Sequence, residues 1–254
     1  MQLISKYNKT SQKRYNLKIL ILFLLIQFLL ATALIIFYRG PAEIIQTQHP
    51  KNIRVIWSGQ TAKKLAALTF DDGPDPVYTP QVLDILKKYK IPATFFLVGN
   101  MAMSHPELVK REVAERHEIA NHSFNHLYLQ GKEPEFIEAE ISETDSVLKE
   151  ITGKISPWFR PPKGQIGHNI LYAAARLNKT IVLWGFCLEH ERQSSKEMVE
   201  AAVKAAAPGI ILLAHDGLEN RKKTIEALPE IIEAYQKMGY RFVTLTRLLK
   251  NLRR

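Results

Sequence analysis

The chain has 254 residues, 46% hydrophobic and 24% charged, which suits one large α/β domain with extra segments. Its formal charge of +10 is uneven: Lys6, Lys9, Lys13, Arg14 and Lys18 crowd the amino end, and Arg247, Lys250, Arg253 and Arg254 the carboxyl end. No basic stripe interleaved with aromatics joins them, so nucleic acid is excluded as the expected partner. Cys187 is the only cysteine, which excludes an intramolecular disulfide and leaves stability to a hydrophobic core.

Ile19 to Phe37 is an apolar run interrupted only by Gln27 and Thr32. As a helix it is just long enough to cross a bilayer, and the cations before it keep the amino end in the cytoplasm. Ala31-Thr-Ala33 offers a small-residue cleavage site for a signal peptide. The run continues past it through Leu34-Ile-Ile-Phe37, so the expectation is an uncleaved anchor. Residues 1–18 then form a cytoplasmic basic segment, 19–38 a single-pass transmembrane signal anchor and 39–63 an extracytoplasmic linker with a short strand near Ile53–Trp57. Residues 64–254 form the folded domain.

That domain alternates apolar strands with helical patterns. Strands are expected at Lys64–Phe70, Ala93–Val98, Glu118–Asn121, Thr180–Phe186, Gly209–Ala214 and Arg241–Leu245, with an extended piece at Trp158–Pro161. Helices are expected at Thr79–Tyr89, Pro106–Arg116, Glu133–Ile151, Asn169–Leu177, Glu197–Ala207 and Lys223–Met238, with Gly153 capping the long one. Continuous apolar strands between helices argue for a parallel sheet covered on both faces. Both a barrel and a doubly wound open sheet meet that description.

The chemistry-bearing residues cluster after strands, the face where a βα barrel builds its site. Leu65-Ala-Ala-Leu-Thr-Phe-Asp-Asp-Gly-Pro74 ends a buried strand in two acids, whose successive side chains leave in different directions. His122-Ser-Phe-Asn-His126 spaces two imidazoles four apart, facing one side if the segment is a helical turn. Two histidines and one carboxylate make a catalytic zinc set with an open position, and either Asp71 or Asp72 completes it. The other acid is then free to act as base. His215 suits a general acid, and Arg160, in Phe159-Arg-Pro-Pro-Lys-Gly164, suits a partner for a site carboxylate.

Taken together these segments resemble the polysaccharide deacetylases, carbohydrate esterase family 4, from about Asn52 to Leu249. Thr69-Phe-Asp-Asp-Gly-Pro74 and His122-Ser-Phe-Asn-His126 resemble the family's first two motifs, Arg160-Pro-Pro-Lys-Gly164 the third and Leu213-Ala-His215 the last. Ile91-Pro-Ala-Thr-Phe-Phe-Leu-Val-Gly99 is also typical of it. The resemblance implies a distorted (β/α)7 barrel, here an α/β domain preceded by the transmembrane helix. It implies Asp71 as base, Asp72, His122 and His126 as metal ligands, His215 as acid and Arg160 orienting Asp71. It also implies the Lys163 N–H as oxyanion donor and Leu213 as lining for the acetyl methyl. The cofactor implied is a divalent metal: zinc first, with cobalt, manganese or nickel as alternatives.

The fourth motif departs from the pattern. Trp184-Gly-Phe-Cys-Leu-Glu-His-Glu191 has Cys187 where the family has an aspartate paired with the third-motif arginine, so Glu189 or Glu191 would have to substitute. The expected function is a metal-dependent hydrolase at the cell membrane, monomeric, removing N-acetyl groups from peptidoglycan or a chitin-like polymer outside the cytoplasm. The alternatives are an O-acetyl esterase on a glycan such as xylan, and an impaired carbohydrate-binding or cell-wall assembly protein.

Overall fold

The computed structural model describes residues 54–190 and 194–250. The expected anchor and basic segment lie outside the described residues, among which no helix is long and apolar enough to cross a membrane.

Among the described residues nine strands, all paired in parallel, form one sheet: β1 (Val55–Ile56), β2 (Leu65–Asp71), β3 (Thr94–Leu97), β4 (Glu118–Asn121), β5 (Trp158–Phe159), β6 (Thr180–Val182), β7 (Phe186–Cys187), β8 (Ile210–His215) and β9 (Arg241–Phe242). The hydrogen-bonded order is β1-β6-β5-β4-β3-β2-β8-β7, with β9 also on β2. The far edge is drawn back to β8 by an antiparallel bridge between Ser58 and Ile210 and by the bond from the Gly185 N–H to the Ile211 carbonyl, 2.9 Å. The sheet is therefore a curled, barrel-like parallel ring.

Between the strands run α1 (Tyr78–Tyr89), α2 (Gly99–Ser104), α3 (Pro106–Ala114), α4 (Pro134–Thr152), α5 (His168–Arg176), α6 (Ser195–Lys204) and α7 (Lys222–Lys237), and α8 (Leu245–Leu248) follows the last strand. β2 lies at the centre, and its alternation divides the core. Ala66, Leu68 and Phe70 pack under Val82, Leu83 and Leu86 of α1 and the buried face of α7. Ala67 joins Phe96, Ala120, Val182 and Ile211 in a separate inner cluster. In-register pairing sets Thr69 beside Leu213 and Asp71 beside His215, so inner-facing positions deliver polar groups to the carboxyl end of the ring.

Three expectations are corrected. The strand at Thr180–Phe186 is two strands, because the chain breaks at Trp184-Gly185 to carry β7 onto β8. Helix α6 begins before Glu197, since Ser194 and Glu197 form a reciprocal capping box whose two bonds are both 3.2 Å. The segment expected to continue as strand to Leu245 stops at Phe242, where the Thr244 hydroxyl caps α8. Gly153, left-handed at φ 75°, does close α4.

Glu112, on the inner side of α3, is fully buried, and neither carboxyl oxygen has a hydrogen-bond partner among the described residues. Burial, with a contribution from the charge of Asp216, pushes its pKa well above the usual carboxylate range. A raised folded-state pKa means stability is complete below the unfolded value and is lost as pH rises through the folded one. Glu112→Met, of similar volume, is expected to gain about 1–3 kcal/mol at neutral pH, with a smaller gain in acid. Urea unfolding at both pH values checks this; equal effects at the two would exclude the protonated buried acid.

Candidate active site

Asp71 is the last residue of β2 and Asp72 the first beyond it. Asp72 adopts a left-handed backbone, φ 76°, a region aspartate tolerates better than most residues. That turn, more than strand pleating, separates the two carboxylates while keeping both at one site. The turn is crowded from below. A Cβ on Gly217 would sit 2.2 Å from the Asp72 carbonyl oxygen, which leaves that position no room for a side chain, and one on Gly73 would sit 2.6 Å from Asp216 Oδ1 and would have to displace that buried carboxylate.

The two imidazoles meet Asp72, though not through a helix. His122–His126 is an irregular loop with left-handed Ser123 (φ 67°) and His126 (φ 53°). Asn121 Oδ1 accepts from the Ser123 N–H at 2.9 Å. Glu140 Oε2 accepts from the Phe124 and Asn125 N–H groups at 3.0 and 2.8 Å, and Oε1 from the Asn125 side chain. Glu140 escaped the sequence reading. Its signal was an acid on the apolar stripe of α4, between Ile137 and Thr144, where an unpaired carboxylate would be costly.

The loop sets His122 Nε2 3.4 Å and His126 Nε2 3.1 Å from Asp72 Oδ1. His122 Nδ1 donates to the Arg160 carbonyl at 2.6 Å, so in the neutral ring Nε2 carries only a lone pair. A lone pair aimed at a carboxylate needs a proton or a cation between them. Asp72 Oδ2 is held by Arg221 at 3.0 Å, which leaves Oδ1 for the histidines. Burial opposes ionisation of Asp72, but when the histidines are protonated, hydrogen bonds from His122 and His126 and the positive potential of His122 and His215 overcome it and hold its pKa far below the usual range. Two imidazole nitrogens and one ionised oxygen, with His122 and Asp72 held from behind by the Arg160 carbonyl and Arg221, fit a divalent ion of the zinc class.

Arg160 is fully buried. It donates to Asp71 Oδ1 (2.6 Å), Thr69 Oγ1 (2.9 Å) and the carbonyls of Val182 (2.9 Å) and Leu183 (3.0 Å), and lies over the Phe96 ring at 4.0 Å. Backbone carbonyls at the end of β6 thus join Asp71 and Thr69 as partners of Arg160. Asp71 keeps Oδ2 turned towards His122 Nε2, 3.6 Å away.

Glu189 serves His215 instead of Arg160. Its Oε1 accepts from the His215 N–H and the Thr224 hydroxyl, both at 2.9 Å, and its Oε2 lies 3.1 Å from His215 Nδ1. Burial alone would lower the His215 pKa, but the bond and charge of Glu189 and the charges of Asp71 and Asp72 raise it. Cys187 Sγ approaches Glu189 Oε2 at 3.7 Å. Glu191 lies outside the described residues. Arg221 and Thr224 were not found from sequence, because neither belongs to a repeating pattern.

Leu213 is buried on β8, two residues before His215 and so on the same side of the strand. Lys163 is exposed and left-handed at φ 56° in a short turn, Pro162–Gly164. The Gly164 and Gln165 N–H groups bond back to Pro161 and Pro162, and the Lys163 N–H is not used in that turn.

Comparison with known proteins places the chain in a family. A family model described as polysaccharide deacetylase matches residues 58–182. A peptidoglycan-N-acetylglucosamine deacetylase of Bacillus cereus is 40% identical over 199 residues, 77% of this chain and 93% of that protein. The solved Bc1960 peptidoglycan N-acetylglucosamine deacetylase superposes with a TM-score of 0.75 at 34% identity, covering 78% of this chain and 94% of its own. A family 4 acetyl xylan esterase from Clostridium thermocellum, solved with a cobalt ion, gives 0.67 at 34% identity, covering 73% and 90%. With that identity spread over nearly the whole of these relatives, the chain belongs to the polysaccharide deacetylase family, carbohydrate esterase family 4.

Proposed function

We propose that this enzyme removes N-acetyl groups from an amino-sugar polymer, peptidoglycan or a chitin-like oligosaccharide, in a divalent-metal-dependent hydrolysis outside the cytoplasmic membrane. The observation that carries this is the convergence of Asp72 Oδ1 with the Nε2 atoms of His122 and His126, beside an Asp71 held by buried Arg160. The apolar run 19–38 supports tethering to the membrane as a single-pass protein, and the domain works as a monomer.

Asp72, His122 and His126 would hold the ion. Bound there, a zinc-class ion supplies Lewis acidity, which lowers the pKa of water and polarises a carbonyl. Asp71 Oδ2 takes a proton from the attacking water, while Arg160 occupies Oδ1 and keeps the carboxylate aimed. The Lys163 N–H donates to the acetyl oxygen as negative charge develops there. His215 gives its Nε2 proton to the amine nitrogen as the carbon–nitrogen bond breaks, yielding acetate and a free amino sugar. Leu213 packs against the methyl group.

A second reading, O-acetyl ester hydrolysis on a glycan, is favoured by the likeness to the acetyl xylan esterase. Assays on N-acetylglucosamine oligomers, peptidoglycan and acetylated xylan separate the two. Acetate from the amino-sugar substrates, lost on chelation and restored by zinc or cobalt, is the expected result. Release from xylan alone would favour the esterase, and release from none of them with any metal would sink both.

Proton donation also sets a pH dependence. Activity needs protonated His215 and falls as pH rises through its pKa, which Glu189 raises. Glu189→Gln removes that charge, so the alkaline limb of kcat/KM is expected to move to lower pH. An unmoved limb would show that another group is the acid.

A further inference from the structure

Beside the Asp72 site lies a second group of metal-binding atoms. Cys187 Sγ, a Glu189 carboxylate oxygen and a His215 ring nitrogen all fall within 4.8 Å of one another. They come from the end of β7, the segment after it and the end of β8, which are held in register by the pairing of Cys187 with Leu213. We propose that Cys187 Sγ, Glu189 Oε2 and His215 Nδ1 form a second site, for a thiophilic divalent cation such as zinc, whose filling inhibits the enzyme.

The spacing suits a cation already. Tetrahedral zinc with bonds of about 2.0–2.3 Å puts neighbouring ligand atoms about 3.3–3.7 Å apart. Here Nδ1 to Oε2 is 3.1 Å, Sγ to Oε2 is 3.7 Å and Sγ lies within 4.8 Å of the ring nitrogen, so side-chain shifts of about 1 Å close the set. Glu189 is also oriented for the role. Its Oε1 is occupied by the His215 N–H and the Thr224 hydroxyl, which leaves Oε2 as the oxygen common to the other two ligands. Such outer support normally accompanies metal-binding carboxylates. Sulfur distinguishes this set from Asp72, His122 and His126, and favours softer ions.

Without a cation the thiol is uncharged, since burial and the nearby charge of Glu189 raise it to about 11. Binding releases the thiol proton to solvent and, from an imidazolium, the Nδ1 proton as well, while the ring keeps Nε2–H. Affinity therefore rises with pH. A cation on Nδ1 separates His215 from the Glu189 charge and blocks the cycle between imidazole and imidazolium that proton delivery needs. The site stands on its own geometry; only its inhibitory effect rests on the proposed deacetylation.

Cobalt tests both parts. Metal-free protein titrated with Co²⁺ is expected to develop a sulfur-to-cobalt charge-transfer band in the near ultraviolet, which the sulfur-free Asp72 site cannot produce. Cys187→Ser should lack that band and keep the visible cobalt bands of the Asp72 site, which also report that the variant is folded. Asp72→Asn should keep the charge-transfer band. With zinc, turnover should rise over the first equivalent and fall as more is added, and the fall should move to about 10-fold higher zinc or beyond in Cys187→Ser. Turnover with neither band nor zinc inhibition would overturn the second site. A band in a protein inactive on every acetylated glycan would leave this site standing and overturn the deacetylase reading instead.

Discussion

One buried guanidinium organises the site. Arg160 gathers Asp71 and Thr69 from β2, the carbonyls at the end of β6 and the Phe96 ring from β3 around a single charge with no exposure to solvent. A charge so placed is tolerated only when its partners are complete, and deleting one side of a buried pair costs about 3–5 kcal/mol. The same residue's carbonyl fixes the His122 ring. Arg160 therefore links the expected base to an expected metal ligand, one through its side chain and the other through its backbone.

The two adjacent aspartates owe their different surroundings to that arrangement. Asp71 ends a strand and faces Arg160; Asp72 turns left-handed and faces the histidines on one oxygen and Arg221 on the other. Gly73 and Gly217 permit the turn by leaving no room for a side chain. Around them Glu140 and Glu189 play matching parts, each a largely buried carboxylate that fixes a histidine-bearing segment through backbone N–H groups.

Much of this was legible in the chain itself. The run Leu65–Phe70 before two acids marked the strand and its polar end together, and the spacing of His122 and His126 marked two imidazoles that meet at Asp72, although the loop that presents them is not helical. The less legible features depend on distant contacts. Arg221 sits in an ordinary polar loop and acquires meaning only where β8 returns beside β2. Glu189 looked like a substitute partner for Arg160, but the break at Trp184-Gly185 carries it to His215. Helix α2 went unread because six residues, Gly99–Ser104, are too few to show a period.

The central claim is that neighbouring carboxylates divide the work, Asp71 moving a proton and Asp72 holding the metal. Zinc affinity and turnover measured side by side in Asp71→Asn and Asp72→Asn test it most directly. The account expects Asp71→Asn to bind zinc nearly as the parent does while turnover falls about 10²–10⁴-fold. It expects Asp72→Asn to lose zinc affinity about 10–100-fold or more. Equal losses of zinc from both variants, or an Asp71→Asn enzyme with parental turnover, would contradict it.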